Sequence, residues 1–110
     1  MRNPDFGPIL AIGMGGTATE LHDDVAYVAL PTDAGRVRQA LSRLRLWTLL
    51  QGFRGKPPAD IDALVDAAVA FGLRFLAAQP PIGEIEINPL FVRQNGAGGV
   101  VAVDALVKPL

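Results

Sequence analysis

Hydrophobic residues recur along this chain with two different periods, and the switch between them divides it into layers. Pro8-Ile9-Leu10-Ala11-Ile12 is a continuous apolar run, as expected of a strand buried on both faces. Thr17–Leu21 reads as β-prone, His22-Asp23-Asp24 as a turn, and Val25–Leu30 as a further strand stopped by Pro31. The period then becomes helical. Thr32 or Asp33 is a plausible N-cap, and Val37, Ala40, Leu41, Leu44 and Thr48 fall on one face of a helix. A break follows, with Gly52, Gly55, Pro57 and Pro58 around Arg54 and Lys56. Asp60 caps a second helix whose apolar stripe is Ile61, Leu64, Val65, Ala68, Val69 and Leu76, and which ends before Pro80-Pro81.

Past the prolines the period is two. In Glu84-Ile85-Glu86-Ile87-Asn88-Pro89, Ile85 and Ile87 face one side, while Glu84, Glu86 and Asn88 face the other. Leu90-Phe91-Val92 continues the strand, Gln94–Gly99 is a turn cluster, and Val100–Asp104 returns. Asn95-Gly96 between two β runs is a hairpin signal. A hairpin centred near Gly96 sets Asn88 opposite Asp104, where facing Cβ atoms lie about 4.5–5.5 Å apart. An amide oxygen and a carboxylate at that spacing, with the Glu86 carboxylate two residues away, can hold a hard divalent cation such as Mg²⁺. The same letters also fit an amphipathic strand with a solvated face and an aspartate ending a hairpin. Asn and Pro inside a β run are poor choices for strand stability, which favours the chemical reading.

The element order is β-β-β-α-α-β-β-β, an α+β fold with a mostly antiparallel sheet and two main helices packed on it. Residues 1–110 form a single domain, and Met1–Phe6 reads as a frayed, polar end. A chain of this length buries somewhat over ~60% of its unfolded surface. With half the residues hydrophobic and 19% charged, the composition fits a globular domain and argues against disorder. A net charge of −1 without a basic stripe excludes nucleic acid as an expected partner. No cysteine is present, so thiolate chemistry and disulfides are absent. No apolar run has the length of a membrane span. Pro4, Asp5 and Pro8 also interrupt the start of the chain before a signal-peptide core forms, so a cytoplasmic location is expected.

Three further features carry candidate chemistry. Gly13-Met14-Gly15-Gly16-Thr17-Ala18 satisfies the letters of a dinucleotide fingerprint, with Asp33 downstream, but the residues after it lack helical periodicity. Two readings remain for Gly15 and Gly16: a glycine-lined bend between strands, or a cradle of backbone amides for phosphate. Arg54, between two glycines, fits a phosphate-binding fork or an exposed loop arginine. His22, the only histidine, sits in a polar turn and reads as a surface residue. Trp47, with Leu46, Leu49, Leu50 and Phe53, fills a core or an interface.

Taken in order, these segments resemble a known family. Phe6-Gly7-Pro8 with Gly13-Met14-Gly15-Gly16, Glu20 and Asp24-Val25-Ala26 looks like the opening of the C-terminal half of an ATP-grasp domain of NDP-forming acyl-CoA synthetases. The succinyl-CoA synthetase β subunits belong to the same group. Leu50-Gln51-Gly52-Phe53-Arg54-Gly55-Lys56-Pro57-Pro58 with Asp60 is similar to the family's central segment, and Glu84–Leu90 and Val103-Asp104-Ala105 are similar to its closing motifs. The resemblance implies that Asn88 and Asp104 bind the Mg²⁺ that bridges the phosphates of ATP or ADP. It further implies that Glu86 lies where a phosphohistidine from another domain or subunit docks. The implied reaction interconverts acyl-CoA, ADP and phosphate with acid, CoA and ATP. An ATP-grasp clamp has two lobes, and this sequence matches one. The N-terminal lobe with its phosphate-contacting lysine, the CoA-binding domain and the phosphohistidine are expected as partners; His22, Lys56 and Lys108 do not replace them. An isolated lobe should be inactive and should expose apolar surface. The alternatives are a non-catalytic module of the same fold, used for assembly or regulation and attached to an acetyltransferase, and a dinucleotide-binding fragment.

Overall fold

The computed structural model describes residues 1–13, 24–52, 55–94 and 98–110. Ten elements follow in order: β1 Arg2–Asn3, β2 Gly7–Gly13, β3 Val25–Ala29, α1 Ala34–Ser42, α2 Leu46–Leu50, α3 Ile61–Ala77, β4 Ile82–Ile87, β5 Leu90–Val92, β6 Val100–Ala102 and β7 Ala105–Pro109. Among the described residues these strands pair antiparallel, in three sheets: β1-β2-β3, β4-β7 and β5-β6.

One face of β2 and β3 meets the helices. Leu10 and Val28 from the sheet, Val37, Ala40 and Leu41 from α1, Leu44 and Leu50 around α2, and Leu64 and Val65 from α3 make one buried cluster. Both expected N-caps form. The Asp33 carboxylate accepts from the Arg36 N–H at 2.9 Å, and that of Asp60 accepts from the Ala63 N–H at 3.1 Å. On the surface, Arg38 of α1 pairs with Asp62 of α3.

The long first helix expected from the period is two helices. α1 stops at Ser42, and the chain turns through Arg43–Arg45 before α2 begins. The cause lies far away in sequence: Asp24, which is buried, accepts from the N–H groups of Arg45 and Leu46, both at 3.0 Å. Its carboxylate caps α2 from outside, satisfying two donors that a continuous helix would have used internally. Thr48 is consequently exposed, while Leu44 stays in the core. Among the described residues three helices therefore stand where two were expected.

The N-terminal residues are not frayed. The Met1 amino group donates to the Ile9 carbonyl at 2.9 Å, and the Ile9 N–H donates back to Met1 at 2.7 Å. Arg2 lays its guanidinium over the buried Phe75 ring, 4.9 Å from the centroid, and donates from Nε to the Ile82 carbonyl at 3.0 Å. One side chain thus ties β1 to the end of α3 and the start of β4. The proposed strand at Thr17–Leu21 and the turn at His22-Asp23 lie outside the described residues. The antiparallel pairing of β2 with β3 runs against a dinucleotide-binding crossover, which needs parallel strands. Among the described residues, no helix is long and apolar enough to cross a membrane.

Candidate functional site

The C-terminal hairpin carries the site residues, and its register is the expected one. Glu84 faces Lys108, Glu86 faces Leu106 and Ile87 faces Ala105; beyond the interruption, Leu90 faces Ala102 and Val92 faces Val100. Every one of these pairs is symmetric about position 96, as the Asn95-Gly96 signal required. Val100–Asp104 was expected to close the hairpin. Instead the return strand continues as β7, so Asp104 lies between two strand segments rather than at an end.

The interruption itself is the candidate site. Pro89 has no N–H to give a ladder, and the Asn88–Pro89 peptide is cis. The strands stay joined across it, because the Asn88 N–H donates to the Asp104 carbonyl at 3.1 Å and the Val103 N–H donates to the Pro89 carbonyl at 3.1 Å. Asn88 and Asp104 are therefore direct cross-strand neighbours, and both are exposed. The Ala105 N–H donates to Asp104 Oδ1 at 2.9 Å, which fixes the orientation of the carboxylate. Glu86 is exposed as well and sits two residues back from Asn88, about 7 Å along the strand. Beyond it, Lys108 Nζ approaches Glu84 Oε2 at 3.5 Å, so the near end of this face is charge-paired.

Among the described residues no three His, Cys, Asp or Glu side chains gather into a metal site. The protein's offer to a cation at this place is one amide and one carboxylate. That donor set fits Mg²⁺, which takes one or two protein ligands and keeps water and phosphate oxygens for the rest. Gly15, Gly16 and Arg54 lie outside the described residues. Their neighbourhood is defined at its edges: Gly13 closes β2 opposite Val25, and a Cβ on Gly13 would stand 2.7 Å from the Asp24 carbonyl oxygen. Gly52 and Gly55 flank the Arg54 segment with φ of 98° and 79°, in the left-handed region that glycine tolerates.

Asp60 has a second role that its helix-cap pattern did not reveal. While Oδ1 caps α3, Oδ2 accepts from the Gly99 N–H at 2.7 Å, and the Asp60 N–H donates to the Arg93 carbonyl at 2.8 Å. Arg93 and Gly99 are themselves bonded at 3.0 Å across the hairpin. Asp60 therefore pins both arms of the hairpin to the start of α3. The bonds from Gly99 first and Ala63 second hold its carboxyl below the ordinary value of 3.8. The one signal in the sequence is Gly99 itself, the last residue of the turn cluster.

The profile of the ATP-grasp domain matches residues 1–108. The chain is 37% identical over 105 residues to a trans-feruloyl-CoA synthase from an unknown prokaryotic organism, covering 96% of this chain and 15% of that protein. It is 35% identical over 105 residues to the β subunit of an ADP-forming acetate–CoA ligase I of Pyrococcus furiosus, covering 96% of this chain and 44% of the subunit. Among solved structures, an acetyl-coenzyme A synthetase of Candidatus Korarchaeum cryptofilum superposes with a TM-score of 0.90 at 31% identity, over 100% of this chain and 50% of that one. That structure is a complex with coenzyme A and Mg-AMPPCP, with a phosphohistidine segment pointing towards the nucleotide-binding site. This chain thus spans half or less of each of these proteins. With the profile matched over nearly its whole length, the chain belongs to the ATP-grasp family.

Proposed function

We propose that the chain is the Mg²⁺–nucleotide-binding C-terminal lobe of an NDP-forming acyl-CoA synthetase, which interconverts acyl-CoA, ADP and phosphate with acid, CoA and ATP. The observation that carries this reading is the pairing of Asn88 with Asp104 across the hairpin, with Glu86 on the same exposed stretch. In this reading Asn88 and Asp104 hold the ion, and Glu86 receives and orients a phosphohistidine brought by another domain or subunit. When bound, Mg²⁺ would neutralise charge on the phosphoryl oxygens. Gly15, Gly16 and Arg54 are proposed phosphate contacts. The lobe assignment is supported by the share of the relatives that the chain spans, and by the exposed apolar side chains Phe91, Val103, Leu106 and Leu110, which a neighbouring lobe would cover.

The direct test is a titration of the ¹⁵N-labelled chain with Mn²⁺ and ADP. Paramagnetic broadening is expected at the amides of Asn88, Asp104 and Ala105, and it should vanish in an Asn88→Ala/Asp104→Ala double variant. Broadening centred elsewhere, or unchanged in that variant, overturns the assignment. Calorimetry should find ATP binding weaker than micromolar for this chain alone, since half the clamp is supplied by another segment. In the complete ligase either single alanine variant should abolish turnover; unaltered turnover would instead favour the non-catalytic module.

A further inference from the structure

Among the described residues the outer edge of β3 is open, and it is built unlike the edges of β1 and β7. The Leu30 N–H donates to the Pro8 carbonyl at 3.1 Å, which sets the phase of the β2–β3 ladder. Ladder bonds alternate along an antiparallel pair, so Ala26 and Val28 bond inward to β2, while the N–H and C=O groups of Val25, Tyr27 and Ala29 point away from it. Among the described residues nothing pairs with that row.

Proteins usually guard such an edge with lysine, proline or brevity. β7 is guarded in this way by Lys108 and Pro109, and β1 has only two residues. β3 is Val-Ala-Tyr-Val-Ala, five residues without a charge or a proline. An open cavity of about 410 Å³ runs beside it, lined by Val25, Ala26 and Tyr27 on the strand and Ala40, Arg43, Leu44 and Arg45 on the α1–α2 turn, with Asp24 at one end. Both Asp24 oxygens are taken by the Arg45 and Leu46 N–H groups. The side chains of Arg43 and Arg45 are exposed at the rim, as is Tyr27.

We infer that β3 is a docking edge for an extended acidic segment of a partner protein, which adds to the sheet as a strand beside β3. Main-chain bonds to Val25, Tyr27 and Ala29 would hold the segment, and the guanidinium groups of Arg43 and Arg45 would select its acidic side chains. The charge at the rim is what chooses this occupant: among the described residues both free charges along the groove, Arg43 and Arg45, are positive. This surface is separate from the Asn88–Asp104 pair, so the inference stands whether or not that site binds Mg²⁺.

The test uses the ¹⁵N-labelled chain with a synthetic alternating Val-Glu peptide, and a Val-Lys peptide of equal length as control. The acidic peptide should protect the amides of Val25, Tyr27 and Ala29 from exchange, in that alternation, and leave those of Ala26 and Val28 unchanged. An Arg43→Glu/Arg45→Glu variant, whose changes lie on exposed side chains, should bind the Val-Glu peptide roughly tenfold more weakly and reverse the preference towards Val-Lys. Tyr27→Pro removes one outward donor and should also weaken binding. No protection by the acidic peptide, or equal binding of both peptides, overturns the inference. So does protection of the same three amides by raising protein concentration alone, which would give the edge to a second copy of the chain.

Discussion

Replacing Asp24 by alanine should destabilise the fold more than any surface aspartate would, because it strips the cap from a helix to which it does not belong. The carboxylate is buried and serves the N–H groups of Arg45 and Leu46, each at 3.0 Å. A buried donor left unsatisfied costs about 1–3 kcal/mol. These two bonds are partly buried, which places each in the lower half of that range and the pair at about 2–4 kcal/mol. For a domain of this size the melting temperature should fall by roughly 10–15 °C. Asp24→Asn keeps one acceptor and turns an amide NH₂ towards the other donor, so it should lose about half as much. The assay is urea unfolding followed by fluorescence, since Trp47, the sole tryptophan, sits in α2, the helix whose cap is removed. The midpoint should drop with an unchanged slope. A variant within about 0.5 kcal/mol of the parent would mean that water replaces the carboxylate at no cost, and it would refute the remote cap.

Two further outcomes follow from the contacts around the hairpin. Asp60 has a folded pKa below its ordinary 3.8, so its contribution is fully present above that value and is lost as pH falls through the lower, folded value. Acid unfolding should therefore steepen below pH 4, and Asp60→Asn should flatten that limb; an identical acid limb in Asp60→Asn refutes the role. Gly52→Ala puts a Cβ 2.8 Å from the Lys56 carbonyl oxygen at a φ of 98°, so it should cost at least about 1 kcal/mol in thermal unfolding. A neutral Gly52→Ala would show that the turn relaxes freely.

What could be read from the letters, and what could not, separates by the sequence distance of the cause. The hairpin register is legible because Asn95-Gly96 marks its own centre and strand alternation propagates from there, so the letters alone set Asn88 opposite Asp104. Both N-caps were legible for the same reason, each lying within three residues of the N–H it serves. The break at Arg43–Arg45 was not, since the apolar period runs on through Leu44 and the group that ends α1 is an aspartate 21 residues earlier. The ordered N-terminus was missed likewise: Arg2 reads as a polar end residue until Phe75 and Ile82 are beside it.

These remote contacts converge on the parts of the molecule that matter for the proposed chemistry. Asp24 stands next to the residues that follow the glycine cluster and sets the turn bearing Arg43 and Arg45. Asp60 stands just past the Arg54 segment and grips the hairpin that presents Asn88 and Asp104. Each aspartate spends its two oxygens on backbone N–H groups, and in each case the bonds join segments that local pattern cannot join. A carboxylate is suited to this, because it accepts two strong bonds in fixed directions without competing donors of its own. Asp24 and Asp60, with both oxygens of each bonded to backbone N–H groups, are therefore structural. The pair proposed for Mg²⁺ is the exposed one, where water and phosphate oxygens can complete the ion's coordination.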